Sequence, residues 1–82
     1  MENSSEKREL TLGEKRVRVD FNVSGDNMVD HIKKESANII NSCEAMKPQD
    51  GSMMSGEKAR LISLAQTAYE EAAMWAVKAA TF

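Results

Sequence analysis

The side chains that could do chemistry in this chain are few, and they stand apart from one another. His31 is the single histidine. It could contact a phosphate or act as a base, but no nearby residue completes a dyad with it, and a solvated histidine near a helix start is the simpler reading. Cys43 falls in step with Ile39 and Met46, where a small buried hydrophobe is the default, and a catalytic thiol would need a partner base. Glu70 and Glu71 are adjacent, so on a helix they point about 100° apart and do not form a carboxylate pair. The chain carries no Gly-rich phosphate loop, no Cys/His set spaced for zinc and no Ser-His-Asp combination. It is therefore read as a non-enzyme, with no catalytic residue, no metal and no cofactor.

What remains suits binding. Arg16, Arg18, Lys33, Lys34 and Lys78 are cations, and Phe21, Tyr69, Trp75 and Phe82 are the only aromatics. Phosphates need cations or free amides, and bases need flat apolar surfaces to stack on. Phe21 is followed at once by a polar turn that opens a helix, where free amides can accept an anion. Lys78 is the isolated cation of an apolar helix end, three residues after Trp75. Each has a plain alternative. A tryptophan on an apolar stripe is usually core, and a lysine near a helix C-terminus suits the dipole.

The elements that would position these residues follow from periodicity. Ser55 to Phe82 reads as one long helix, capped by Ser55 with Glu57 in its first turn. From Ala72 to Ala80 its only polar residue is Lys78. A helix apolar on so much of its circumference must be covered on more than one side. One stripe, Leu61, Leu64, Ala65, Ala68, Ala72, Trp75 and Ala79, is expected to pack inside the chain. A second, Ile62, Tyr69, Ala73, Ala76, Val77 and Ala80, is rich in alanines that let helix axes approach, and suits a subunit contact. Tyr69, Ala73, Trp75, Ala76 and Val77 are the expected interface of a homo-oligomer.

A preceding helix runs from about Asp26 to Met46, capped by Ser24 or Asp26. Its expected seam is Val29, Ile32, Ser36, Ile39, Cys43 and Met46, widened by Ile40, and its solvated face is Asp30, Lys34, Asn38, Asn41 and Glu44. Pro48 ends it, and so short a loop makes the two helices an antiparallel hairpin. Upstream, Val17, Val19 and Phe21 alternate with Arg16, Arg18 and Asp20, which predicts a short strand or arm over 16–21. Gly13 offers a turn before it, and residues 1 to 9 form a charged tail without periodicity. The fold class expected is thus mainly α: a two-helix hairpin over 10–82, with an N-terminal β-strand or arm, assembling as a homo-oligomer.

Composition narrows the function classes. Eighty-two residues make one small domain. Eleven Lys and Arg against thirteen Asp and Glu leave a net charge of −2, without the basic excess of a nucleic-acid-polymer binder. A single cysteine excludes an internal disulfide. The opening Met-Glu-Asn-Ser-Ser-Glu-Lys-Arg-Glu is too polar for a signal peptide to be expected there, and no apolar run reaches the roughly 18–20 residues of a membrane span. A cytosolic protein without a membrane partner is expected. Without a secretion signal, the sequon Asn22-Val23-Ser24 carries no meaning. The residues alone lead to a small oligomeric helical hairpin.

Three segments carry a resemblance: Arg18-Val19-Asp20-Phe21-Asn22-Val23-Ser24-Gly25, then Val29-Asp30-His31-Ile32-Lys33, then Ala68 to Ala80 with its Met-Trp-Ala-Val-Lys-Ala-Ala run. Over about residues 16 to 82 the chain resembles small bacteriophage proteins that share the helical-hairpin domain of the anti-CBASS and anti-Thoeris cyclic-nucleotide sponges. The resemblance implies a hexamer that binds immune second messengers, namely cyclic oligonucleotides or cyclic ADP-ribose isomers. It sequesters them intact in the cytoplasm of the infected bacterial host, in pockets where protomers meet. The residues expected to bind are Phe21 by stacking, Arg16, Arg18 and Lys78 on phosphate, and Asn22 and Ser24 on base or ribose. The competing expectation is a structural or adaptor hairpin that oligomerises or docks on a partner protein.

Overall fold

A computed structural model describes residues 9–82 and contains three helices: α1 (Leu12–Val17), α2 (Asn27–Glu44) and α3 (Gly56–Ala80). No strand is present among the described residues. The tail predicted over residues 1 to 9 falls, but for Glu9, outside them.

The strand expected over 16–21 is corrected by α1. Thr11 caps that helix through a reciprocal box. The Glu14 N–H donates to Thr11 Oγ1 at 3.2 Å, and the Thr11 N–H donates to Glu14 Oε1 at 2.9 Å. The helix stops at Arg18, whose φ of 57° places it in the left-handed region. The alternation that suggested a strand does not produce one buried face. Val17 is buried and Val19 half-buried, while Phe21, beyond the turn, is 54% exposed.

A six-residue helix has too few internal hydrogen bonds to stand alone, so tertiary contacts hold it. Gly13 is not a turn glycine; it is the point of closest approach to α2. A Cβ there would lie 2.1 Å from the Ala37 carbonyl oxygen. Its N–H donates to Asn41 Oδ1 at 2.8 Å, and Asn41 Nδ2 donates to Thr11 Oγ1 at 3.0 Å. Asn41, expected on a solvated face, docks α1 instead.

Asp26 caps α2 by accepting from the Met28 N–H at 2.8 Å. Ser55 caps α3 by accepting from the Lys58 N–H at 3.1 Å. The two helices run antiparallel. Gln66, early in α3, meets the late part of α2 by donating to the Ile40 carbonyl and the Glu44 carboxylate at 3.2 and 3.0 Å. Further along α3, Ala73 joins Val17, Ala37 and Ile40 in the core.

Both helices turn a different face inward from the expected one. On α2 the buried residues are Val29, Lys33, Ala37, Ile40 and Cys43, while Ile39 and Met46 are exposed. On α3 the inner face is Ile62, Gln66 and Ala73. Leu61, Leu64 and Trp75, assigned to the internal seam, are instead each more than half exposed. Ala73 is consequently corrected from interface to core: at 5% exposure, its surface is buried within its own protomer. The helices form a layer only 12 Å thick, one helix diameter, so α3 has an uncovered side.

Candidate functional site

The junction where α1, α2 and α3 meet holds a groove of about 440 Å³. Arg16, Arg18 and Lys33 bring cations to it. Val17, Ala73, Met74 and Val77 supply apolar wall, and Thr67, Glu70 and Glu71 complete the lining from α3.

Each cation is placed by a local cause. Arg16 lies in the last turn of α1 and crosses to α3. Its Nε donates to Glu70 Oε1 at 2.6 Å, and its Nη2 donates to Thr67 Oγ1 at 3.3 Å. Arg18 is the left-handed cap of α1, and that backbone twist turns the chain out of the helix. Its guanidinium lies 4.9 Å from the Phe21 ring centroid, a cation–π contact. Arg18 also lines the shallow recess in which Phe21 sits, so it stands between ring and groove.

Lys33 organises this corner. It is 7% exposed, and its ammonium donates to the Arg18 carbonyl at 3.0 Å and to the Phe21 carbonyl. The same ammonium lies 5.5 Å from the Phe21 ring. Burial pushes the Lys33 pKa down, the Arg18 charge pushes it further, and Asp30 opposes both. The lysine is thus a buried tie that fixes the Arg18–Phe21 turn. In the sequence it is one cation among several, with no role marked by its neighbours. The available signal was its position four residues after Val29 and four before Ala37, on what proves to be the buried stripe.

Asn22 and Ser24 are close to Phe21, but their polar atoms are engaged within the turn. Asn22 Nδ2 donates to the Asp26 carbonyl and to Asp30 Oδ1, both at 2.9 Å, and its Oδ1 accepts from Ser24 Oγ and the Gly25 N–H. Ser24 Oγ also accepts from the Asp26 N–H at 3.2 Å. That is the full hydrogen-bonding complement of an asparagine side chain. These two residues shape the loop that leads into α2.

Lys78 is not part of the junction groove. It sits 5.5 Å over the Trp75 ring and, with Trp75, Ala79 and Phe82, lines a separate open recess near the end of α3. Of the expected interface residues, Tyr69 and Trp75 are exposed, while Ala76 and Val77 are half-buried. Six residues proposed from sequence therefore divide three ways: Arg16 and Arg18 line the junction groove with Phe21 in the recess beside it, Asn22 and Ser24 build the loop into α2, and Lys78 pairs with Trp75 elsewhere. Thr67 and Met74 carry no binding signal in the sequence, where Glu70 and Glu71 read as surface charges. Nothing in the sequence pairs α3 positions with Arg16, 54 residues away from Glu70.

Chemically the junction can hold an anion carrying apolar or aromatic groups. Three cations and four apolar side chains line the same groove, and the exposed Phe21 ring lies in an adjoining recess that Arg18 also lines. His31 is exposed on α2 and is not among the groove's lining residues, and Cys43 is buried. Among the described residues no three His, Cys, Asp or Glu side chains cluster to hold a metal ion.

A family model described as the Acb2/Tad1 hairpin domain matches residues 14–81, which spans all of α2 and α3 and most of α1. No curated protein and no solved structure matches the chain.

Proposed function

The chain belongs to the Acb2/Tad1 hairpin-domain family, the phage cyclic-nucleotide sponges, and on that premise we propose that it binds immune cyclic-nucleotide messengers and sequesters them without breaking a bond. The family match carries this reading. The junction groove supports it, because Arg16 and Arg18 suit phosphodiester charge, and Phe21 in the recess beside it offers a ring for a base. Asn22 and Ser24 act by holding the turn that presents Phe21, and Lys78 with Trp75 forms a second cationic, aromatic surface.

The protomer acts as part of a homo-oligomer, a hexamer by family resemblance, in the cytoplasm of the infected host. The exposed Leu61, Leu64 and Trp75 of α3 support assembly, since large apolar side chains left uncovered on a small protein suit a contact surface. No helix among the described residues is long and apolar enough to cross a membrane.

Sequestration sets an energetic requirement. To compete with an effector that responds to nanomolar or low micromolar messenger, the sponge needs roughly 9–12 kcal/mol of binding. A groove whose lining is already tied by hydrogen bonds avoids much of the ordering cost of binding. Calorimetry with a panel of cyclic dinucleotides, cyclic trinucleotides and cyclic ADP-ribose isomers should find at least one tight ligand. After denaturation, chromatography should recover it intact. A linear or hydrolysed product would indicate an enzyme, and a stable oligomer with no nucleotide affinity would indicate an adaptor hairpin.

A further inference from the structure

Resting on the reading of the junction groove as the ligand site, we propose that Glu70 is an internal competitor there, holding Arg16 until a ligand phosphate displaces it. Arg16 meets α3 through two acceptors of unequal kind. Glu70 takes the Nε edge of the guanidinium at 2.6 Å, and the Thr67 hydroxyl accepts from Nη2 at 3.3 Å. The guanidinium edge is what a phosphate oxyanion would use, and a carboxylate is the closest protein equivalent of that anion.

The other groups of the groove do not duplicate this arrangement. Lys33 is buried and tied to two carbonyls, and Arg18 faces the Phe21 ring. Glu71 accepts from the Trp75 indole N–H at 3.3 Å. Arg16 is thus the groove cation whose charge is held by a carboxylate at contact distance. With Glu70 ionised, three cations face two carboxylates, and one net positive charge is left for an incoming anion. Glu70 therefore sets both the charge a ligand must bring and the group it must expel. The pair is exposed enough to exchange, with side chains 26% and 44% accessible, so its carboxylate competes without closing the site.

The distinguishing consequence is a gain. Glu70→Gln keeps an oxygen that can accept from Arg16 but removes the competing charge. In calorimetry on the full chain, with inorganic pyrophosphate and cyclic di-AMP as probes, Glu70→Gln should bind about fivefold tighter than the unsubstituted protein. Its affinity should also fall more steeply with salt. In an Arg16→Ala background the same substitution should change affinity less than about twofold, because the group it released is gone. A readout that needs no variant is the Arg16 Nε–H resonance in 15N NMR, which should move on pyrophosphate addition together with the Glu70 side-chain carboxyl carbon. Equal or weaker binding by Glu70→Gln, or an unmoved Arg16 resonance under saturating ligand, overturns the proposal while leaving the sponge reading in place. A Glu70-dependent response to pyrophosphate, with no binding anywhere in the cyclic-nucleotide panel, upholds the competition and sinks the sponge reading. Failure of both probes to bind either protein removes Glu70's role together with the groove's.

Discussion

The two faces of α3 carry opposite kinds of residue. Toward α1 and α2 it presents Ile62, Gln66 and Ala73, at 3%, 2% and 5% exposure. Outward it presents Leu61, Leu64 and Trp75, all more than half exposed. A protein that had only itself to cover would place the large apolar residues inside, since full burial of one such side chain is worth about 1.5–3 kcal/mol. The inner face instead favours close approach: Ala73 packs with Ala37, Ile40 and Val17, and Gly13 touches the Ala37 carbonyl. The outer face keeps the area that a second layer could use. One side of the helix specifies the protomer, and the other is suited to assembly.

Substitutions on the two faces should therefore separate stability from association. The largest effect on the protomer is expected at Ile40, which is fully buried. Ile40→Ala should lower unfolding free energy by about 4 kcal/mol in a urea titration. Gly13→Ala comes next at about 3 kcal/mol, because the added methyl meets the backbone of Ala37 rather than a side chain that can move. Gln66→Leu keeps the volume but removes donors to Ile40 and Glu44, and about 1 kcal/mol should be lost. On the outer face, Leu64→Gln and Trp75→Gln should each change the stability of the isolated protomer by less than about 0.5 kcal/mol. The same pair should abolish concentration dependence of Tm and reduce the mass seen by light scattering. If the outer substitutions instead unfold the dilute protomer as strongly as Ile40→Ala does, the division between faces is wrong.

Two pH experiments sharpen the inner side of the comparison. The Gln66 amide, then Lys47, hold the Glu44 carboxyl below its ordinary 4.5. A depressed carboxylate gives stability that is present above 4.5 and lost as pH falls through the folded value. The difference in stability between wild type and Gln66→Leu should therefore shrink with acidification below pH 4.5. Lys33 behaves in the opposite range. Burial lowers its pKa below 10.5, so the unfolded chain binds that proton more tightly, and stability rises as pH climbs from the folded value toward 10.5. Against Lys33→Met, the wild-type curve should rise over that alkaline interval.

Where reading from sequence succeeded, the cause was local. Ser55 is a cap in both the sequence and the structure, and of Ser24 and Asp26 the structure selects Asp26, because a side-chain oxygen at a helix start needs only the amides two or three residues on. The capping box that opens α1 is equally local. Thr11-Leu-Gly-Glu14 carries it, yet the alternation of Val17, Val19 and Phe21 suggests a strand. Period two over so few residues cannot be told from the end of a helix followed by a turn.

Other features had no local signal. Leu61, Leu64 and Trp75 are as apolar as an internal seam should be, and only their placement against α2 shows that Ile62, Gln66 and Ala73 face inward. Arg16 is adjacent to nothing in sequence that predicts Glu70 or Thr67. Lys33 reads as a surface cation until the left-handed turn at Arg18 brings two carbonyls over it.

The sequence by itself determined the two long helices, the Ser55 cap, the hairpin and the surplus of apolar surface on Ser55 to Phe82, because each depends on neighbours within a turn or two of helix. Tertiary structure alone decided which side of α3 is core, which cations share a groove, and which of them a carboxylate holds. Those outcomes depend on the rotation of one helix against another, and a helix with apolar residues on most of its circumference leaves that rotation undetermined until the partner surfaces meet.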